Sequence, residues 1–394
     1  MSVSRLAFCT LAAALAVAGC DRKGGDTSKQ IGANPVLPEP NAYLLPPMRI
    51  APVLQWGTNT PTVAPGLHIE ALATGFVHPR TLYTLPNGDI LVVEANGPKA
   101  PINRPKDLIM HWVENFGGGG APGGNRIILL RQPKEPGQPM LRTVFIDHLK
   151  SPFGVALVGN DFYVADTDAI LRFPYKDGET QITEPGTELA PLPGGPIDHH
   201  WTKSLLASPD GTKLYASVGS NSNITENGMG AELDRADILE VDRATGQFRV
   251  FASGLRNPNS MQWEPKSGKM WTVVNERDEL GPDLVPDYLT SVKDGGFYGW
   301  PYSYYGQHLD PRVKPQRPDL VARAIPPDYA LSSHVAPLGV VFDTGTNLPA
   351  TYKGGAFVGE HGSWDRGVMN GYKVVFVPFT NGRPSGMAQD VVTG

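Results

Sequence analysis

Read for the alternation of apolar and polar positions, the chain repeats one unit five times: a loop opening on a His, Pro or Arg, a strand-length apolar run, a Gly/Asp/Asn turn, and a second β-rich run. The copies are HPRTLYTLPNGDILVVEA from His78, SPFGVALVGNDFYVADTDAILRFPY from Ser151, HHWTKSLLASPDGTKLYASVGS from His199, RNPNSMQWEPKSGKMWTVVNE from Arg256, and APLGVVFDTGTNLPATYKGGAFVGEHG from Ala336. Turn residues such as Asn87-Gly88-Asp89 and Asp210-Gly211 between two such runs predict antiparallel hairpins. Small antiparallel sheets repeated in sequence predict an all-β chain arranged as a β-propeller. The spacing of the copies leaves no room for a further unit before Gly394. The expectation is a six-bladed β-propeller whose last blade is incomplete in this chain, with a shorter closure by N-terminal strands as the alternative.

One stretch breaks the pattern. In Pro101 to Gly124 the apolar positions Leu108, Ile109, Trp112 and Phe116 recur at helical spacing, and a run of glycines follows. A short helix and a loop are predicted. A phosphate cradle is not, because no strand leads in and no Lys-Ser/Thr follows the glycines.

The N-terminus has its own pattern. Arg5, an apolar run from Leu6 to Ala18, and Val17-Ala18-Gly19-Cys20 read as a secretory signal over residues 1–19 ending in a lipobox, which would make Cys20 a lipidated mature N-terminus. Residues 20–64 are rich in Pro, Gly and Asn and read as a lipid-anchored tether that becomes ordered near its end, leaving 65–394 as the propeller domain. Such a chain sits on the periplasmic side of a bacterial membrane, and Asp21 after Cys20 points to the inner one. Cys9 leaves with the signal, so no disulfide can form; without Cys-x-x-Cys-His there is no covalent c-type haem, and any electrons must pass to a partner. A net charge of −5 without basic clusters excludes nucleic acid as a partner.

Polar residues that open or close successive units are candidates for a shared site on the propeller axis: Asp198-His199-His200, Arg256-Asn257, the run Asn275 to Glu279, His334, and Glu360-His361 with Trp364-Asp365-Arg366. HHWTKSLLASPDGTKLYASVG, then GLRNPNSMQW, an acidic turn, and DGGFYGWPYSYYG resemble, in order and spacing, the soluble quinoprotein glucose and sorbosone dehydrogenases. NERDELGPDLVPDYLTSVKDGGFYGWPYSYYGQ is most similar to the sorbosone branch.

That resemblance implies oxidation of a sugar, an aldose or a sorbosone-like aldehyde, by hydride transfer to the quinone cofactor PQQ with help from Ca²⁺, and reoxidation by a respiratory acceptor, a quinone or a cytochrome. It makes His200 the general base and Arg256 and Asn257 the pair at the reactive edge of the quinone. It further implies cofactor contacts from His334, His361 and Arg366 and metal ligation by Asp278 and Glu279. Departures from the glucose branch are Ser220 or Asn221 at an expected acidic neighbour of the cofactor and a Gly-Pro element displaced to Gly281-Pro282. Two other readings of a propeller remain beside it: a Ca²⁺-dependent lactonase-type hydrolase and a lipid-anchored binding protein without chemistry. A nicotinamide fingerprint is missing.

Overall fold

The computed structural model describes residues 26–394 apart from 42–47, 55, 100, 103, 104, 136 and 346. The signal and Cys20 therefore lie outside the described residues. Each repeat unit becomes one blade, and the first strand of each unit is the innermost strand. The first blade runs outward through Pro79–Thr84, Ile90–Glu94, Arg126–Arg131 and Leu141–Ile146. The second is Gly154–Val158, Asp161–Ala165, Ala169–Pro174 and Thr187–Pro191. The third starts at Leu205–Ala207 and the fourth at Asn257–Trp263, each with three further antiparallel strands; the fifth starts at Pro337–Phe342. The predicted turns form as read: Gly88 and Gly211 take left-handed φ of 87° and 71°, and the Asp210 carboxylate accepts from the Thr212 amide at 3.0 Å.

Because successive strand residues face opposite sides of a sheet, each inner blade supplies two apolar faces. Phe162 and Val164 of the second blade pack with Leu91, Val93, Ile127 and Leu129 of the first. Tyr163 and Ala165, one residue out of phase, pack with Leu214, Ala216 and Leu239 of the third. Met270 and Val274 join the fourth blade to the third; Trp271 and Val273 join it to Val358, Val375 and Phe379 of the fifth. Four blade junctions are closed in this way.

The fifth and first blades do not meet in a shared cluster. The free face of the fifth, with Phe376 and Val391, is covered by Ala64 and Leu67; that of the first, with Val92, Ile128 and Leu130, is covered by Ala73 and Phe76. A cleft of about 670 Å³ remains between them, lined by Trp56, His78, Arg80, Glu360, His361 and Tyr372. The described residues therefore form five blades, and the expected sixth is not among them. Residues expected to be a tether are partly built into the fold: Ile31–Gly32 pairs with Tyr329–Ser333 at the outer edge of the fourth blade, and Thr62–Val63 pairs with Gln389–Thr393 at the outer edge of the fifth. The predicted helix forms as Pro105–Phe116, between the second and third strands of the first blade. Among the described residues no helix is long and apolar enough to cross a membrane.

Candidate active site

At one end of the axis the openings of the third and fourth blades converge. Gly219 is the pivot: a β-carbon there would stand 2.3 Å from Asn257 Oδ1 and 2.5 Å from His200 Cβ, so only glycine lets those two side chains approach one another. The Ser220 amide donates to the Arg256 carbonyl at 2.8 Å and the His200 amide to the Ser220 carbonyl at 3.3 Å, tying both openings together.

The His200 ring is held from behind. Its Nδ1 lies 2.8 Å from the Ser220 carbonyl oxygen, which can only accept, so Nδ1 carries the proton and Nε2 keeps its lone pair. Burial, then the neighbouring His199 and Arg256, hold its pKa well below the ordinary histidine value. His200 is thus a neutral imidazole with a free basic nitrogen at neutral pH.

Arg256, 3% exposed, donates Nη1 to the Glu276 carbonyl at 2.6 Å and Nη2 to Asp278 at 2.8 Å. Its Nε, and the Oδ1 of Asn257, are buried without any protein partner, while Asn257 Nδ2 donates to Asn275 at 3.0 Å. Both atoms are closed off from solvent, and burying them unpaired is costly.

Asp278 is positioned from its backbone: its amide donates to Asn223 Oδ1 at 2.8 Å and its carbonyl accepts from Asn223 Nδ2 at 3.0 Å. Its carboxylate, His334 and Asp365 each bring a ligand atom to within 4.8 Å of the others. Burial opposes the charge on Asp278, but Arg256 and His334 hold its pKa well below the usual carboxylate range. Burial likewise disfavours the charge on His334, and the hydrogen bond it donates to Asp278, with the charges of Asp365 and Asp278, outweighs it, so the imidazole is raised above its ordinary value. His334 Nε2 donates to the Gly281 carbonyl at 3.1 Å.

Two of the expected residues have their side chains engaged inside the protein. Glu279 adopts φ +69° with its carboxylate on Arg312 Nη1, 3.1 Å away, and Asp365 is the side chain that joins Asp278 and His334 in the acidic cluster. Arg366, expected on a cofactor carboxylate, is spent inside the protein: Nη1 donates to the Pro282 carbonyl and to Ser333 Oγ, both at 2.7 Å, and pairs with Asp283 at 3.0 Å. His361 lies in the cleft beside the first blade, with its pKa lowered by burial and then by Arg80. Ser220 and Asn221 are buried in the third-blade loop; the Asn221 amide donates to Glu232 at 2.7 Å. Gly219 and Asn223 carried no signal in a single sequence beyond their place in the GSNSN loop.

Fold and site define an all-β propeller with a buried, ligand-seeking polar centre at the axis. The family model described as glucose/sorbosone dehydrogenase matches residues 160–363, slightly over half the chain and every element just described at the third and fourth blades. The chain belongs to that family. An uncharacterised protein of Borreliella burgdorferi is 27% identical over 237 residues, 57% of this chain and 61% of that relative, so the match spans less than two thirds of its length. Among solved structures, a Trichoderma reesei carbohydrate-active enzyme of family AA12 is 20% identical with a TM-score of 0.68, covering 90% of both chains. The holo PQQ domain of pyranose dehydrogenase from Coprinopsis cinerea is 19% identical with a TM-score of 0.68, covering 91% of this chain and 88% of that one. The PQQ-bound aldose sugar dehydrogenase of Streptomyces coelicolor is 16% identical with a TM-score of 0.54, covering 84% of both. At these identities the likeness is one of fold.

Proposed function

We propose that this protein is a sugar dehydrogenase of the quinoprotein type, oxidising an aldose or a sorbosone-like aldehyde hydrate. The observation that carries the reading is His200: a buried neutral imidazole whose Nδ1 proton is committed to the Ser220 carbonyl and whose Nε2 is free. Family membership and the solved structures described as PQQ-bound support the cofactor.

The residues present fit such a group. The Arg256 guanidinium and the Asn257 amide would hold it beside His200, and the carboxylates of Asp278 and Asp365 would hold Ca²⁺. When bound, PQQ supplies a two-electron acceptor for the hydride from the sugar carbon, with Ca²⁺ as a Lewis acid. The protein supplies the rest. His200 Nε2 takes the proton of the sugar hydroxyl as its carbon–hydrogen bond breaks, which leaves a carbonyl product. Arg256 sets a fixed positive charge where negative charge develops, and Asp278 keeps that guanidinium in place at 2.8 Å. Gly219 keeps His200 and Asn257 in register.

The same reading includes the expected sixth blade between the fifth and first, anchoring of the chain at Cys20 on the periplasmic face of a membrane, and reoxidation by a respiratory quinone or cytochrome. Calorimetric titration with PQQ in the presence of Ca²⁺ tests the site directly. One equivalent should bind, and Arg256→Ala with Asn257→Ala should weaken binding by roughly tenfold or more, the loss of charge-assisted contacts. No binding by the parent chain would refute the quinoprotein reading.

A further inference from the structure

Glu232 is a buried carboxylate, 7% exposed, at the end of the single helical turn Met229–Glu232 in the loop between the second and third strands of the third blade. It touches neither the sugar hydroxyl's base nor the acidic cluster. Its oxygens are taken up by the start of its own loop: Oε2 accepts from the Asn221 amide at 2.7 Å and Oε1 from the Ser222 hydroxyl. Three residues on, Arg235 donates Nη1 to the Gly219 carbonyl at 3.0 Å. The segment Gly219 to Ser222 is thus gripped on both sides of Ser220, the residue whose carbonyl meets the His200 ring.

The Asn221 amide and the Ser220 carbonyl belong to one peptide unit, which is trans and therefore planar, with its N–H and C=O on opposite sides. One side meets Glu232 at 2.7 Å and the other meets His200 Nδ1 at 2.8 Å. Fixing the N–H therefore fixes the direction of the C=O. Turned over, the same peptide would aim an N–H at Nδ1, which would then have to accept. The ring proton would move to Nε2, and the basic nitrogen would be lost. A carboxylate on the amide also polarises the carbonyl at the far side of the unit and strengthens its hold on the ring.

We infer that Glu232 is the positioning residue of the base, acting through the Ser220–Asn221 peptide to hold His200 in the tautomer with its proton on Nδ1. The inference rests on the reading of His200 as the base of a sugar dehydrogenase. The orienting carboxylate stands one peptide away from the imidazole instead of on it, and Ser220 adds a second contact, its Oγ lying 3.1 Å from Nδ1. The Asn221 side chain braces the same unit: its Oδ1 accepts from the His199 amide at 3.3 Å, and its Nδ2 donates to the Ala231 carbonyl, beside Glu232, at 2.9 Å. Glu226 of the same loop makes the contrast, since it is exposed and accepts from the Ile224 amide at 2.7 Å, away from the gripped peptide.

Two-bond ¹H–¹⁵N spectra of the histidine-labelled chain report the tautomer before any cofactor is added, with the His200 signals identified by their loss in His200→Ala. The parent should carry the proton on Nδ1 at neutral pH. Glu232→Ala should move it wholly or partly to Nε2 at a temperature well below the Tm of the variant. Glu232→Gln, which keeps an oxygen for the Asn221 amide, should hold the parent tautomer, and Glu226→Gln should leave it unchanged. If Glu232→Ala melts early, Glu232→Asp is the second variant: it is a methylene too short to reach the amide and should move the tautomer in the same direction. With PQQ and Ca²⁺ added, kcat should fall roughly tenfold or more in Glu232→Ala and stay within about threefold in Glu232→Gln, with KM for the sugar little changed. An Nδ1 proton that persists in both Glu232→Ala and Glu232→Asp overturns the inference, as does a parent with its proton on Nε2. A parent with the Nδ1 tautomer and no turnover on any sugar counts against the dehydrogenase reading alone, because the spectra still decide the role of Glu232.

Discussion

The junction between the third and fourth blades and the cleft between the fifth and first are built from equivalent repeat openings, yet they differ in almost every physical respect. At the first, inner-strand loops interlock through Gly219, Ser220, Asn223 and Arg256, and every face is sealed by a shared apolar cluster. At the second, Leu82 and Val341 of the inner strands are 70% and 53% exposed, and short pieces of the N-terminal segment cover the remaining faces. One repeat pattern thus gives a rigid, desolvated site where neighbours close on each other, and an open seam where they do not. Chemistry belongs at the closed junction because an imidazole and a guanidinium are held there in fixed geometry and out of water.

The largest effect expected from breaking the closed side comes from Asp198, which opens the third blade. Its carboxylate accepts from Arg235 at 2.8 Å, from Lys203 at 3.4 Å and from the Thr167 hydroxyl, with all three partners buried. Asp198→Ala leaves two buried cations unpaired and should cost about 3–5 kcal/mol. That is a fall in Tm of about 4–6 °C by calorimetry. A change under about 2 °C would show that the closed side, here where the second and third blades meet, is not the stable part of the fold.

A pair of leucines on the first blade sharpens the contrast. Leu91→Ala empties a fully buried position against the second blade and should cost about 2–5 kcal/mol, whereas Leu82→Ala on the open side should stay within about 0.5 kcal/mol. Equal costs in denaturant unfolding would mean that the seam is packed after all.

The pH dependence of stability probes one buried carboxyl on each side of the comparison. Burial raises Glu360 at the cleft and Asp237 in the third blade to about 8 each. Each holds a proton in the folded state that it loses in the unfolded state above the ordinary carboxylate range. Their contribution is fully present below about pH 4 and is lost as pH rises through 8. Tm should therefore fall between pH 6 and 8 and level off above that, and Glu360→Gln should flatten the slope. A Tm that rises across that interval would contradict the burial of these groups.

Much of this was legible in the sequence, for a definite reason. Repeat openings at His78, Ser151, His199, Arg256 and Ala336 mark inner strands because a propeller needs each unit to restart at the axis. His200, Arg256 and Asn257 could be grouped because they open adjacent units. What could not be read was the direction of side chains across irregular loops. Glu279 sits next to Asp278 in sequence, but a left-handed φ turns it to Arg312, while Asp365 arrives from another blade. Arg366 was expected on a cofactor carboxylate, and nothing in the run Trp364-Asp365-Arg366 reveals the Pro282 carbonyl that it binds. The cleft was equally hidden, since the repeats say how many units are visible and not which faces find a partner.

The central claim rests on His200, and reduction of an artificial electron dye tests it most directly. The chain reconstituted with PQQ and Ca²⁺ is assayed over a panel of aldoses and sorbosone, alone and as His200→Ala. The account predicts PQQ-dependent turnover that falls by roughly 10²–10⁴ in the variant while PQQ binding and Tm hold. Turnover unchanged in His200→Ala, with PQQ bound, would contradict it.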